Sequence, residues 1–287
     1  MLIPFVFSAA CSFFTGVILH DINNFKIRRY RLKAGGIKKN VRFVQLSDLH
    51  GVSFGKDNER LVKAVKKLHP DFIVMTGDMM SAKEFIKNDI PATVDTAESL
   101  IASLSMHFKV YYGMGNHEQR VSWSPGCYSF GYKEMLERFK KAGAVILDNS
   151  SVLREAEGIR ISGLSMSLAN YHKKQKCRLT LDDMYSFIGK PDDDHYEILI
   201  AHDPEYIDVY SKWGADLTLS GHYHGGIMQF PGSRGVISPR LELYPKYTGG
   251  HYHTGGHDQI VSRGLGTHTI PVRVFNPGEV VCVDLMA

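Results

Sequence analysis

The chain has only four cysteines in 287 residues, Cys11, Cys127, Cys177 and Cys282, with no CxxC pair among them. That excludes a zinc ribbon and a dense disulfide framework. No proline-rich or low-complexity stretch divides the sequence and no internal repeat is evident, which excludes a long disordered linker and a solenoid. A basic stripe is missing from the body as well. Eight of the 34 Lys and Arg residues lie between Lys26 and Arg42, and one of the 30 acidic residues, Asp21, precedes them, so residues 43–287 hold 26 basic against 29 acidic side chains. A mildly acidic body lacks the electrostatic footprint of phosphate-backbone binding, so no nucleic-acid partner is expected. What remains, with 44% hydrophobic and 22% charged residues, can build one sizeable core and one catalytic domain.

Leu2 to Leu19 contains no charged residue, and 13 of its 18 positions are Leu, Ile, Val, Phe, Ala or Cys. As a helix it would be about 27 Å long against a bilayer core of about 30 Å. Residues 1–21 are therefore expected to form a transmembrane anchor, and residues 22–40 a basic juxtamembrane segment. One rival is a cleaved signal peptide, although no basic segment precedes the apolar stretch. Another is a buried helix of a soluble domain, toward which Pro4, Gly16 and the borderline length point. The cations follow the apolar stretch, so the positive-inside tendency predicts an outside N-terminus and a cytoplasmic catalytic domain.

Five short apolar runs end in clusters of Asp, Asn and His. Val41 to Leu46 leads into Asp48 and His50, Asp71 to Met75 into Gly77-Asp78, and Val110 to Met114 into Gly115-Asn116-His117-Glu118. Ile198 to Ile200 leads into His202-Asp203, and Leu217 to Leu219 into Gly221-His222-Tyr223-His224. Such runs read as buried strands whose ends open into loops at one rim. Residues two apart on extended chain project to the same side, so Asp48 with His50 and His222 with His224 can each aim two ligands into one cavity. Carboxylate, amide oxygen and imidazole without cysteine suit Mn, Fe or Zn. Seven such side chains exceed the needs of one ion, so two ions with Asp78 as the bridge is the simpler reading.

Asp48-x-His50, Gly77-Asp78, Gly115-Asn116-His117-Glu118, His202 and Gly221-His222-x-His224, in that order, resemble the calcineurin-like metallophosphoesterases over roughly residues 40–275. Ser47-Asp48-Leu49-His50-Gly51, Gly225-Gly226 and Ser262-Arg263-Gly264-Leu265-Gly266 are similar to the small bacterial members that carry an N-terminal membrane anchor. The resemblance implies an α/β fold, a four-layer α/β/β/α sandwich of two mixed sheets, with catalytic residues in 41–287 and a first strand over Asn23 to Leu32. It implies two divalent metal ions, one on Asp48, His50, Asp78 and His224 and the other on Asp78, Asn116, His202 and His222. A bridging hydroxide would attack phosphorus while His117 steadies the phosphoryl group or acts as general acid on the leaving oxygen. Glu118 is expected behind the ligands.

The expected activity is hydrolysis of a phosphodiester or pyrophosphate bond, on a substrate that membrane proximity suggests is lipid-linked. Alternatives are a phosphomonoesterase, a diphosphatase of a nucleotide-linked acyl sugar, and a metal-dependent scaffold without turnover. Outside the clusters, His69 precedes a proline, His107, His172, His195, His251, His253, His257 and His268 read as solvated, and Asp203-Pro204 as the start of a helix. Helices are expected over Lys56–Leu68, Val94–Leu104 and Gly131–Ala142, and a hairpin opening a second sheet between Ala144 and Leu164.

Overall fold

The computed structural model describes residues 2–82, 92–123, 131–171, 178–230, 235–237, 242–267 and 271–287. Cys127, Cys177, His172 and His268 lie outside the described residues.

Along the chain, α1 (Leu2–Asn23) runs into β1 (Phe25–Lys33), followed by β2 (Val41–Leu46), α2 (Glu59–Lys66), β3 (Phe72–Met75), α3 (Ala92–Ser105), β4 (Lys109–Gly113), α4 (Asn116–Trp123), α5 (Tyr132–Lys141) and β5 (Ala144–Leu147). The second half supplies β6 (Ser150–Arg154), β7 (Ile159–Leu164), α6 (Leu181–Ile188), β8 (Tyr196–Ala201), α7 (Ile207–Trp213), β9 (Leu217–Ser220), β10 (Gly250–Thr254), β11 (His257–Val261) and β12 (Gly278–Met286). One sheet has the order β1-β12-β2-β3-β4-β5 and the other β10-β11-β9-β8-β7-β6. Both are mixed. In the first, β2 to β5 are parallel and β12 is antiparallel to β2; in the second, β7, β8, β9 and β11 are parallel and flanked by antiparallel β6 and β10.

Alternation along the strands divides the apolar residues between layers. Val41 and Phe43 of β2 face the other sheet, in a cluster with Phe72, Val74, Ile161, Ile198, Leu219 and Val281. Val44 and Leu46 point the other way, among Leu61, Val65, Leu100, Ile101, Met135 and Phe139 of the helices. A third cluster joins Leu199 and Ala201 to Met184, Ile188, Tyr210 and Trp213. Three apolar interfaces make four layers, α/β/β/α, as the sequence implies. The hairpin expectation is met by β6 and β7, although Ala144–Leu147 completes the first sheet.

The expected transmembrane helix finds no support: among the described residues no helix is long and apolar enough to cross a membrane. The last turn of α1 belongs to the body. Asp21 is buried there and accepts a hydrogen bond from the Asn276 backbone N–H at 2.8 Å. Higher up, Phe7, Phe13, Phe14 and Leu19 are exposed.

Candidate metal centre

The C-terminal ends of parallel β2, β3 and β4 and of parallel β8 and β9 deliver all seven expected ligands and His117. Asp48, His50 and His224 offer ligand atoms within 4.8 Å of one another, and so do Asp78, His202 and His222; His50, Asp78 and His117 form a third such group that joins them. Asp48, Asp78, His202 and His224 are buried. The reason for the convergence differs from simple alternation. Asp48, His50, Asp78, His222 and His224 all have φ between 48° and 71°, so they lie in left-handed turns beyond the strand ends rather than on extended chain. That conformation costs energy for residues other than Gly and persists where surroundings enforce it. Here the two loops hold each other, through Asp48 N–H to Gly77 O at 3.0 Å and His50 N–H to Asp78 O at 3.0 Å. Small residues allow the approach: a Cβ at Gly115 would strike the Asp78 carboxylate, and one at Gly221 would strike Ser47 and Asp48.

Two of the imidazoles are oriented so that they could hold a metal. His202 Nδ1 lies 2.7 Å from Thr76 O and His224 Nδ1 3.2 Å from Gly266 O, so each ring donates from Nδ1 and turns the lone pair of Nε2 inward. His202 Nε2 is 3.2 Å from Asp78 Oδ2, and His224 Nε2 is 3.2 Å from Asp48 Oδ1 and 3.1 Å from His50 Nε2. Two buried atoms of the set, His202 Nε2 and Asn116 Oδ1, have no hydrogen-bond partner among the described residues. Orphaned lone pairs among imidazoles and carboxylates fit divalent cations.

Residues 41–226 match the family model of the calcineurin-like phosphoesterases. The chain belongs to that family. It is 28% identical over 275 residues to an uncharacterized metallophosphoesterase of Aquifex aeolicus, covering 91% of each chain. It is also 28% identical over 261 residues to the uncharacterized metallophosphoesterase YkuE of Bacillus subtilis, covering 85% of this chain and 78% of that one. Among solved structures it is similar to TT1561 of Thermus thermophilus, with 11% identity and a TM-score of 0.45 over 77% of this chain and 88% of that one. The protein is a metal-dependent phosphoric ester hydrolase.

Charge in this metallophosphoesterase follows from burial and pairing. Burial pushes the Asp48 and Asp78 carboxyls up, but the facing imidazoles, His224 and His202 for Asp48 and His202 and His117 for Asp78, outweigh it and hold both below the usual carboxylate range. Burial pulls His202 down, yet the facing carboxylates of Asp78 and Asp48 outweigh it and raise it to about 10. Burial lowers His117 to about 4. The Ala82 backbone N–H donates to His117 Nδ1 at 2.9 Å, which makes Nδ1 an acceptor and puts the ring's proton on Nε2.

Behind the ligands, Glu118 accepts from the N–H groups of Asp78, Met79 and Gly115 and from the Tyr112 hydroxyl, and so fixes the Asp78 loop. His117 N–H donates to Asp78 Oδ1 at 2.8 Å. Sequence reading missed the support of His224. Arg273, only 2% exposed, directs its guanidinium at the carbonyls of His224, Arg263, Gly264, Gly266 and Asn276. Asn276 Nδ2 donates to the carbonyls of His224 and Gly226. Their signal in the sequence is faint: one cation inside an apolar run, and an Asn before a Pro.

Other histidines separate clearly. His257 is a correction: it is buried, with Nδ1 at 2.7 Å from Ala215 O, rather than solvated. His251 and His253 both bond Asp258 across the β10–β11 hairpin at the surface. Asp203 caps Pro204–Tyr206 through Glu205 N–H, as its sequence context predicts.

Proposed function

We propose that the enzyme hydrolyses a phosphodiester or pyrophosphate bond, with one divalent ion on Asp48, His50, Asp78 and His224 and a second on Asp78, Asn116, His202 and His222. The observation that supports this reading is that six of the seven side chains, all but Asn116, fall into two groups of close ligand atoms, Asp48-His50-His224 and Asp78-His202-His222, which the group His50-Asp78-His117 links. Asp48, His50, Asp78, Asn116, His202, His222 and His224 would hold the two cations, Mn, Fe or Zn, which when bound would supply charge neutralisation of phosphoryl oxygens and a lowered pKa of water. The protein's own part is positional. His117 Nε2–H donates a hydrogen bond to a phosphoryl or leaving-group oxygen, and burial holds the ring neutral. This favours steadying the phosphoryl group over transfer of a full proton. A neutral donor also suits the single charge of a diester better than the two charges of a monoester.

Attachment to a membrane, with the catalytic body on the cytoplasmic side, is part of the same proposal. It is supported by the exposed Phe7, Phe13, Phe14 and Leu19 of α1 and by Lys26, Arg28, Arg29, Arg31 and Lys33 on β1, since each cation near an anionic leaflet contributes about 1 kcal/mol. A membrane-borne phosphoester is then the substrate class.

The test compares an aryl phosphodiester with the matching monoester, after chelation and after Mn addition. Chelation should abolish turnover, Mn should restore it, and the diester should be preferred. Monoester preference would make it a phosphomonoesterase, sole turnover of a nucleotide-linked acyl sugar a specialised diphosphatase, and full metal occupancy without turnover a scaffold.

A further inference from the structure

A second cavity of about 890 Å³ lies between α1 and the body, lined by no metal ligand. Part of the lining is apolar, from Phe13 and Val17 of α1 together with Phe230 and Phe275. Phe13 and Phe230 stand at its mouth, 59% and 54% exposed, and the Phe13 and Phe275 rings are 6.4 Å apart. Another part is cationic, from Lys26, Arg28 and Arg263.

Charge there is unbalanced. Arg28 Nε is 2.7 Å and Arg263 Nε 3.5 Å from the same carboxylate oxygen of buried Glu279, so two guanidinium groups share one counter-ion. Lys26 makes no ion pair among the described residues. Glu279 lies behind the lining, and the carboxylate within it, Asp21, is engaged by Asn276 N–H and His20 Nδ1 at 2.8 and 2.9 Å. Three cations thus face two carboxylates, both already held. Burial lowers the pKa of Arg263 from its usual value, the mark of a cation short of solvation. A purely apolar ligand would leave Lys26 without a counter-charge and the two guanidinium groups sharing one, and a bare anion would leave the aromatic side chains in water.

We propose that this groove binds a lipid with a phosphate head and an acyl chain, the head against Lys26, Arg28 and Arg263 and the chain between Phe13, Phe230 and Phe275. The proposal deepens the reading of a membrane-borne phosphoester and rests on it for its biological purpose, while its chemistry stands on the groove alone. Asp21 lines the groove, and through Asn276 it lies two hydrogen bonds from the carbonyl of His224, so an occupant touches the frame of the metal centre.

Calorimetric titration of the Mn-loaded protein with dodecylphosphonate below its micelle concentration reads the site without hydrolysis. Dodecyl maltoside and methylphosphonate serve as chain-only and head-only controls. Dodecylphosphonate should bind 1:1 and at least tenfold more tightly than either control. Lys26→Glu and Phe230→Ser, both at exposed positions, should each weaken it about tenfold or more while turnover of a soluble aryl diester is unchanged. Equal affinity for the maltoside, equal affinity for methylphosphonate, or insensitivity to both substitutions would each overturn the proposal. Because binding is measured directly, a failed hydrolase reading would appear separately, as absent turnover with dodecylphosphonate binding intact.

Discussion

Glu118→Gln separates holding the Asp78 loop from holding the fold. The carboxylate accepts four bonds, Oε2 from Asp78 N–H at 2.9 Å and Gly115 N–H at 3.0 Å, and Oε1 from Met79 N–H at 3.1 Å and the Tyr112 hydroxyl at 2.7 Å. Glutamine has one oxygen to offer, so two donors face an NH₂ group. At about 1.5–3 kcal/mol for each bond to a charged acceptor, the loss is about 3–6 kcal/mol. Against it, burial and then the Asp78 charge raise the Glu118 pKa from 4.5 to about 7. A rise of that size means the buried charge costs on the order of 3 kcal/mol at neutral pH, which the amide avoids. Global stability should therefore fall by at most about 3 kcal/mol, a drop in the thermal midpoint of under roughly 10 °C. Metal binding has no such offset. Losing the partner behind a ligand costs about 10–100-fold in affinity, and that loss should appear for Mn in calorimetric titration. Mn affinity within twofold of wild type would refute the reasoning. A pH signature accompanies it. The folded pKa lies above the unfolded one, so wild-type protein in chelator loses stability as pH rises from about 4.5 to 7, and the variant should lack that loss.

His117→Asn should keep near-normal metal content by elemental analysis and slow turnover about 10²- to 10³-fold, to a similar extent for poor and good leaving groups, because it removes a hydrogen-bond donor to the phosphoryl group; a loss confined to poor leaving groups would make His117 a general acid, and an emptied metal site would make it a ligand. Gly115→Ala drives a Cβ into the Asp78 carboxylate and should abolish tight Mn binding, read by calorimetry, with circular dichroism near wild type. Arg273→Lys keeps the charge but loses the fork that spans five carbonyls, and should lower Mn stoichiometry at Asp48, His50 and His224 while the ion at Asp78, His202 and His222 remains. Two ions bound at wild-type affinity would remove Arg273 from the support of His224.

The ligands were legible because each follows a buried strand closely, and strand burial writes itself as an apolar run: Phe72 to Met75 is wholly buried and Asp78 comes three residues later. The left-handed turns were not legible, since φ at Asp48 or His222 is imposed by partners such as Gly77 and Asp48 that meet them only in the fold. The reading of α1 went astray because composition reports what a segment contains and not where its end docks; Asp21 looked like the edge of a span and is a buried acceptor for Asn276, 255 positions away. Arg273 escaped because its partners are carbonyls, which every residue carries.

The place of β12 has a consequence in time. It lies between β1 and β2, so β1 cannot join the sheet until residues 278–286 have been synthesised, whereas β2, β3 and β4 pair directly with one another. His224 is made roughly 60 residues earlier, several seconds at about 5–20 residues per second. During that interval His224 lacks Arg273 and Asn276, the side chains that hold its carbonyl. The corner of the centre built on His224 is therefore the last to acquire its frame, while the Asp78 and His202 corner rests on strands made earlier.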